Sequence, residues 1–229
     1  MRRPMPRGFT LVEMAVTLLI VGIMTALAYG ALSRAKPRAT FDSASAELQS
    51  VVHQARQHAL AQGVDVAVLV FPDFDNGEGT GRLVVLQDAP TCDFFAATAF
   101  ADFDPAKPVA PADGQVVTTL DLPRGVLVGP KTGLGVAKLP FPYDSIDTGV
   151  ACSLCGDAAD HRGAVVFDPR GRTRFYRVNG GAVEKIADTG GHSLSVYATD
   201  LVKGGVPASS TLVVTQPQGI VRTIPYAPD

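Results

Sequence analysis

The 229-residue sequence has no tryptophan, three cysteines and few charged residues, which make up 18% of the chain. Basic and acidic side chains nearly balance, at 20 and 22, so the net charge gives no general argument for binding nucleic acid. The composition excludes a collagen-like, coiled-coil or wholly disordered chain. The sequence contains no GxSxG, HExxH or P-loop pattern and no internal repeat. We therefore predict a protein that is not an enzyme and that uses no cofactor.

One stretch almost lacks charge. Residues 9–32 contain a single charged side chain, Glu13, and these 24 residues exceed the roughly 20 that a helix needs to cross a bilayer. The stretch is preceded by three arginines: Arg2, Arg3 and Arg7. The positive-inside rule therefore places residues 1–8 in the cytoplasm and the long polar remainder outside. A secretory signal peptide with Ala26-Leu-Ala28 as its cleavage site is the competing interpretation.

Glu13 is the feature that a plain signal peptide does not explain. A carboxylate inside an apolar span costs on the order of 2.5 kcal/mol or more at the bilayer centre, so it usually has a partner. No lysine or arginine lies between Thr10 and Ser33. The partner must therefore come from another chain or be a charge created on this one. Cleavage between Gly8 and Phe9 creates such a charge, the α-ammonium of Phe9.

The residues around Glu13 resemble the class III signal of type IV prepilins and pseudopilins. The matching residues are Arg7-Gly8-Phe9-Thr10-Leu11-Val12-Glu13, followed by an apolar helix with Gly22 in its middle. The resemblance implies that a prepilin peptidase cuts after Gly8, that Phe9 is N-methylated, and that the helix serves as inner-membrane anchor and filament core. It makes other pilins or pseudopilins the partners of this helix. During assembly, Glu13 of an incoming subunit would attract the Phe9 ammonium of a neighbour.

Helical spacing continues beyond the apolar stretch. Pro37 follows a short basic segment and predicts a bend in the helix, because proline removes a backbone hydrogen bond. Apolar residues then recur every three or four positions up to Gly63, the predicted C-cap. These residues are Phe41, Ala44, Leu48, Val51 or Val52, Ala55 and Ala59. We predict one long, kinked helix over residues 9–62.

After Gly63 the apolar period changes to two, which predicts strands. The predicted strands are 64–71, 82–87, 116–122, 163–167, 173–178, 182–186, 193–197, 211–215 and 220–224. No helical pattern separates them, so the sheets should be antiparallel and the fold class α+β, with the long kinked helix packed on the sheets. The resemblance to type IV prepilins implies that this arrangement is a type IV pilin-like fold. Two long segments between strands, 88–115 and 129–162, are interpreted as surface loops.

The predicted organisation has three parts. A leader of residues 1–8 is cleaved, residues 9–37 form the transmembrane and filament helix, and residues 38–229 form a periplasmic head. The head consists of an amphipathic helix, 38–62, and a β-rich region, 63–229.

The head resembles the H-type minor pseudopilins and related minor pilins, the GspH/FimT family. Three segments carry the resemblance: Ala55-Arg56 with Ala59 before a valine-rich strand, Phe167-Asp-Pro-Arg-Gly171, and Gly219-Ile-Val-Arg222. The resemblance implies a minor subunit, near the tip of a type IV pilus or a type II secretion pseudopilus, that acts in pilus biogenesis or protein secretion. The segments 88–115 and 129–162 depart from the family pattern.

Cys152-Ser-Leu-Cys155 is open to several interpretations: a structural disulfide, a redox dithiol, half of a zinc site, or free thiols. A thioredoxin-like motif would start a helix in a βαβ unit, which this sequence does not show. Zinc needs about four ligands, so Cys92 and His161 would have to complete the set. An oxidising extracytoplasmic compartment favours a disulfide between Cys152 and Cys155, with Cys92 left over or paired with either.

A basic cluster is the other candidate site. Five arginines fall within 16 residues: Arg162, Arg170, Arg172, Arg174 and Arg177. Strand alternation would place Arg170, Arg172 and Arg174 on one face with Tyr176, an arrangement that can bind a nucleic-acid backbone. Some minor pilins of the resembled family are implicated in DNA uptake. The competing interpretation is a solvated face whose arginines pair with nearby carboxylates: Asp157, Asp160, Asp168 and Glu184.

The sequence predicts no metal site. Asp73-Phe-Asp-Asn-Gly77-Glu78 has closely spaced acidic and amide side chains but lacks the ligand ladder of an EF-hand, so a polar hairpin loop is predicted. His53 and His58 are five positions apart, whereas four would place them together for a metal, and they are expected at the surface.

Overall fold

The computed structural model describes residues 10–75, 80–88, 94–95, 99–108, 114–128, 141, 143, 152–156, 161–186, 190–203 and 206–226. Within these ranges the chain forms two helices and ten strands. The helices are α1 (Leu11–Gln62) and α2 (Ala99–Asp102). The strands are β1 (Val66–Asp75), β2 (Thr80–Gln87), β3 (Gln115–Asp121), β4 (Val126–Val128), β5 (Gly163–Phe167), β6 (Thr173–Asn179), β7 (Ala182–Lys185), β8 (Gly191–Lys203), β9 (Val206–Thr215) and β10 (Val221–Tyr226).

Helix α1 runs without interruption through Pro37 and ends where the sequence predicts. Gly63 follows it with a φ of 69°, which favours glycine, and the Gly63 N–H donates to the carbonyl of Ala59 at 3.0 Å. The chain divides into two compact units, Met1–Ala39 and Thr40–Asp229, and α1 contributes residues to both. The bend at Pro37 and the domain boundaries of the sequence analysis stay predictions.

The apolar face predicted for the second half of α1 is confirmed. Every residue of the predicted series is buried, with at most 7% of its surface exposed: Phe41, Ala44, Leu48, Val51, Val52, Ala55 and Ala59. These side chains share one core with strand residues such as Val66 and Val85. The helical period of the sequence therefore specifies how α1 packs on the sheet.

The strands form one sheet in the order β10-β9-β8-β4-β2-β1-β5-β6-β7, and β3 also pairs with β2. All pairs are antiparallel except β2 with β4, which meet in parallel at Thr80 and Leu127. The predicted α+β fold class is confirmed: a long N-terminal apolar helix followed by antiparallel β structure, a type IV pilin-like architecture. Strand β4 was not predicted, because three residues are too few for an alternating pattern to emerge.

The sheet buries apolar side chains on both faces. Alternate residues of β1, such as Val66 and Val68, belong to the core that contains α1. The residues between them, such as Ala67 and Leu69, belong to a second core. The second core is completed by four aromatic residues between β2 and β3: Phe94, Phe95, Phe100 and Phe103. A sheet with two apolar faces needs cover on both, and these phenylalanines provide it on the face away from α1.

The prediction that residues 88–115 form a surface loop is wrong for the part of the segment that the structure describes. Phe94 is 1% exposed and Phe100 is fully buried, and α2 lies within the segment. The signal in the sequence was the density of phenylalanine in a chain that has only 7% aromatic residues. Most of the second predicted loop, 129–162, lies outside the described residues.

Two arginines hydrogen-bond to the aromatic segment, which is the part of the chain that contains Phe94, Phe95, Phe100 and Phe103. The Arg162 guanidinium donates to the carbonyl oxygens of Ala101 and Phe103, both at 2.9 Å. Arg82 donates to the carbonyl of Pro105 at 2.7 Å, and its guanidinium lies 4.0 Å from the centre of the Phe74 ring. These contacts satisfy carbonyls at and beyond the end of α2 that have no partner within so short a helix.

The buried position of Phe100 leads to a stability prediction. Phe100→Ala should lower the free energy of unfolding by about 3–5 kcal/mol, because it leaves a cavity in the second core. The matched control is Phe141→Ala, since Phe141 is 87% exposed and should tolerate truncation. Urea unfolding of the detergent-solubilised chain measures both. Equal, small effects of the two variants would show that the aromatic segment is a surface loop after all.

Candidate functional site

The first turn of α1 contains the only charged side chain of the apolar stretch, and that side chain is hydrogen-bonded within its own helix. One carboxylate oxygen of Glu13, Oε2, accepts hydrogen bonds from the amide and from the hydroxyl of Thr10, both at 2.9 Å. The Thr10 hydroxyl in turn accepts from the Glu13 amide at 3.2 Å. Thr10 and Glu13 therefore form a reciprocal capping box at the start of the helix.

The capping box has two electrostatic consequences. It satisfies amide donors at the start of α1 that have no carbonyl partner inside the helix. It also places a negative charge beside the positive end of the helix dipole. A carboxylate at this position is therefore less unfavourable in an apolar setting than one in the middle of the span.

Thr10 was not among the predicted partners of Glu13. The prediction was a charged partner, and the structure shows a hydroxyl and an amide instead. The signal was present as a threonine followed three residues later by a glutamate, just before an apolar run. Gly8 and Phe9, the predicted cleavage and methylation residues, lie outside the described residues.

The apolar stretch that contains Glu13 is uncovered. Its 13 large apolar side chains, from Leu11 to Leu32, are each 49–86% exposed. Among the described residues, α1 is the only helix long and apolar enough to cross a membrane. The hydroxyls of Thr17 and Thr25 donate to the carbonyls of Glu13 and Val21 at 2.8 and 2.7 Å, so neither is left unsatisfied in apolar surroundings.

Cys152 and Cys155 form a disulfide, with their Cα atoms 5.4 Å apart. Its loop is pinned to β8, because the Ser153 amide donates to the carbonyl of Ser193 at 2.9 Å and the Ser193 amide donates to the Ser153 hydroxyl at 2.8 Å. Cys152 is 3% exposed and packs in the core that contains α1. This setting fits a structural disulfide. Cys92 lies outside the described residues.

The remaining candidates for metal binding lie apart from one another. No group of three His, Cys, Asp or Glu side chains that could hold an ion occurs in the described part of the chain. His161 pairs with Asp73 at 2.5 Å, and His58 bonds to Gln87 at 2.8 Å. His53 and His58, expected at the surface, are half-buried. Burial lowers the pKa of His192, whose ring packs 4.5 Å from that of Phe175.

The basic cluster differs from the predicted stripe. Arg170 lies in the turn between β5 and β6, and Arg172 precedes β6, so the predicted strand face contains only Arg174 and Tyr176. The prediction that alternation places the three arginines on one strand face is therefore wrong. Arg172 and Arg174 nevertheless line a common open cleft of about 430 Å³ together with Lys185.

Carboxylates accompany most of these arginines. Arg172 pairs with Asp168 at 2.8 Å, and Arg177 pairs with Glu184 at 2.8 Å. These two acceptors were expected from the sequence. Arg174 pairs with Asp65, which was not expected because it is 109 residues away. Asp157 and Asp160, the other expected acceptors, lie outside the described residues.

Asp168 organises the turn that carries Arg170 and Arg172. Its Oδ1 accepts from the amides of both arginines, at 2.8 and 2.9 Å, while Oδ2 accepts from the Arg172 guanidinium. Burial works to raise the pKa of Asp168, but the hydrogen bonds from Arg172 and Arg170 outweigh it and hold the pKa below its ordinary value of 3.8. The carboxylate is thus an acceptor that the folded turn needs in its charged form.

The three segments on which the predicted resemblance to H-type subunits rests meet at one junction. The Arg56 guanidinium of α1 donates to the carbonyls of Gln218 at 3.1 Å and Gly171 at 3.5 Å. A Cβ atom on Gly219 would lie 2.7 Å from the Gly171 oxygen, so only glycine fits there. Arg56 therefore joins the β5–β6 turn to the β9–β10 turn across the end of the helix.

Comparison with known proteins identifies the N-terminal segment. Residues 3–29 match the family model described as the prokaryotic N-terminal methylation motif. This match supports a type IV pilin-like protein, and the apolar helix that contains it fits single-pass membrane anchoring. Neither the curated proteins nor the solved structures include a match to this chain.

The capped turn at Asp168 leads to a prediction about pH. Because the folded pKa lies below 3.8, the charged carboxylate contributes stability above that pH, and the contribution is lost as the pH falls through the folded value. Asp168→Asn should lower the free energy of unfolding at pH 7 by about 1–3 kcal/mol. It should also lose less further stability than the wild type on acidification.

Urea unfolding between pH 7 and pH 2 tests this prediction. Asp42→Asn, on the exposed side of α1, is the control for removing one carboxylate. If Asp168→Asn and the wild type gave parallel profiles, the turn would not depend on the charge of Asp168.

Proposed function

We propose that this chain is a minor pilin or pseudopilin, a structural subunit and not an enzyme. A prepilin peptidase cuts it after Gly8, and the methylated Phe9 becomes its first residue. The helix of residues 9–37 anchors it in the inner membrane, and the head of residues 38–229 lies in the periplasm. The observation that carries the proposal is the methylation motif at residues 3–29, on a helix whose apolar side chains are uncovered.

Assembly transfers this helix from lipid into a filament of similar helices. Both environments are apolar, so the 13 uncovered side chains do not oppose the transfer. An unpaired charge is strongly penalised in either environment, and pairing Glu13 with the Phe9 ammonium of a neighbour removes the penalty. The pair forms in only one alignment of two helices. Glu13 thereby specifies the register of the filament.

The head supports a position outside the cytoplasm and a specialised role. A disulfide between Cys152 and Cys155 fits an oxidising compartment such as the periplasm. The junction at Arg56 joins the segments that resemble the H-type minor subunits. We propose on this basis that the subunit is a minor one near the filament tip, in a type IV pilus or a type II secretion pseudopilus.

The assembly role of Glu13 can be tested by substitution. Glu13→Ala should leave the amount of membrane-anchored protein unchanged and reduce its recovery in sheared filaments at least tenfold, because the register pair is lost. The matched control is Glu47→Ala, which removes an exposed carboxylate from the head part of α1. Immunoblots of membranes and of filaments measure both pools. Normal recovery of Glu13→Ala in filaments would exclude Glu13 as the assembly residue.

A second candidate function is binding of DNA during uptake. The observation that favours it is the open cleft, where Arg172, Arg174 and Lys185 converge beside the exposed Arg170. Cations in an open cleft can contact successive phosphates. The ion pairs of Arg172 with Asp168 and of Arg174 with Asp65 offset part of this charge, so binding requires that phosphates compete with carboxylates.

Gel shifts of the detergent-solubilised chain with labelled DNA test this candidate. Binding should occur at low salt, weaken steeply as salt rises, and fall at least fivefold in the double variant Arg170→Gln, Arg172→Gln. Arg124→Gln is the control, since Arg124 precedes β4, four strands from β6 in the sheet. No shift at low salt would remove DNA binding as a candidate.

A further inference from the structure

Three of the strands that the structure describes have a paired neighbour on one side only: β3, β7 and β10. Unpaired strand edges attract other strands, and proteins commonly block them with charged side chains or proline. Strand β7 contains Glu184 and Lys185, and β10 contains Arg222 and Pro225. Residues 115–120 of β3 include no charged residue and no proline. The edge of β3 therefore lacks the features that block pairing at the other two edges.

The side chains of β3 are of the kinds that strands favour, and most of them are exposed. The four consecutive residues 116–119 are valine or threonine, which are β-branched. Val116 is 37% exposed and Val117 is 42% exposed. Of the seven residues of β3, only Leu120 is buried. The outer part of this strand thus presents uncharged, partly apolar surface to the surroundings.

The backbone of β3 has hydrogen-bonding groups that point away from β2. In an antiparallel pair, the N–H and C=O of one residue point to one side and those of the next residue to the other. The Leu122 amide donates to the carbonyl of Gly81 at 3.2 Å, so Leu122 faces β2. The register is regular from Asp121 to residue 118, and alternation therefore directs the backbone groups of Asp121 and Thr119 outward. Within the described ranges, no backbone group bonds to them.

We propose that the outer edge of β3 binds the same edge of a second copy of this chain. The two β3 strands pair antiparallel, and the sheets of two heads become continuous. The occupant has to be an extended strand, because only a strand satisfies a row of outward backbone groups. The inference goes beyond the proposed function and does not depend on it.

Charge favours a second copy in an antiparallel alignment around Thr119. Thr119 then lies opposite Thr119 of the other copy, where the two residues exchange backbone hydrogen bonds and their side chains form a cross-strand pair. Each Asp121 lies opposite Val117, whereas a parallel alignment would place the two Asp121 carboxylates side by side. Asp121 is also paired with Arg82 of its own chain at 2.5 Å, so like charges do not meet in the antiparallel pair. The arrangement is a closed two-fold interface, the commonest kind in homo-oligomers.

A charge swap at Thr119 tests this alignment directly. Thr119→Lys places two lysines opposite each other, and Thr119→Glu places two glutamates there, so each variant alone should pair poorly. An equal mixture of the two variants should pair well, because a lysine then faces a glutamate. Thr119 is exposed, so both variants should fold. Gln57→Lys, on the exposed side of α1, is the control for adding one positive charge to the head.

Sedimentation of the full chain in detergent measures the dissociation constant of the dimer. We expect a wild-type dimer, a dissociation constant raised about tenfold or more by either variant alone, and a mixture that returns to within about threefold of wild type. Gln57→Lys should leave the constant unchanged. A monomeric wild-type chain would overturn the inference, and so would a dimer that Thr119→Lys leaves intact, since that dimer forms elsewhere. A mixture that fails to pair would overturn it as well.

Hydrogen exchange of the wild-type chain gives an independent measurement of the same contact. The amides of residues 115–121 should exchange more slowly as the protein concentration rises, because pairing protects the outward N–H groups. The exposed edge strand β7 is the internal control and should exchange at a rate that does not depend on concentration. Dimer formation without slower exchange in β3 would contradict pairing at this edge.

Discussion

The exposed apolar surface of α1 between Leu11 and Leu32 determines which surroundings this chain requires. Burying one large aliphatic or aromatic side chain is worth about 1.5–3 kcal/mol, so the 13 uncovered side chains of this stretch represent a free energy larger than the stability of a typical domain. These side chains therefore need apolar surroundings, which lipid or other helices can supply. The need for apolar surroundings also explains why the position of the Glu13 carboxylate matters. In such surroundings Glu13 needs polar contacts at all times, and the capping box with Thr10 and the proposed intersubunit pair are two ways to provide them.

The second half of α1 forms part of the core of the head. Beyond Thr40 the exposed apolar surface gives way to a single buried face, on which the sheet packs through residues such as Leu48 and Ala59. The opposite face of the sheet is closed by the phenylalanines between β2 and β3, which Arg162 and Arg82 fasten through backbone carbonyls. In the part of the sheet formed by β1, β2, β5 and β6, both faces are thus covered by this chain's own residues. Among the described residues, the cleft beside β6 is a candidate contact site on the head.

Much of the fold could be predicted because its signals are local. The period of three or four residues predicted the buried face of α1, and the period of two predicted the main strands. The failures have physical reasons. Strand β4 is three residues long, and the covering role of Phe100 depends on a sheet face formed by residues far away in the sequence. The pairing of Arg174 with Asp65 joins residues 109 apart, which no local pattern reveals. The contact of Thr10 with Glu13 was also not predicted, although its pattern is local: a threonine three residues before a glutamate at the start of a helix.

The proposed function requires that residues 1–8 are a leader and that the mature chain begins at a methylated Phe9. The most direct test is to determine the N-terminus and intact mass of the protein isolated from membranes. We expect a chain that begins at Phe9 and has the mass of residues 9–229 with its disulfide formed and one added methyl group. A chain that begins after Ala28 would show that the apolar stretch is a secretory signal peptide. A chain that retains residues 1–8 would show that no prepilin peptidase acts on it, and either result would exclude processing at Gly8.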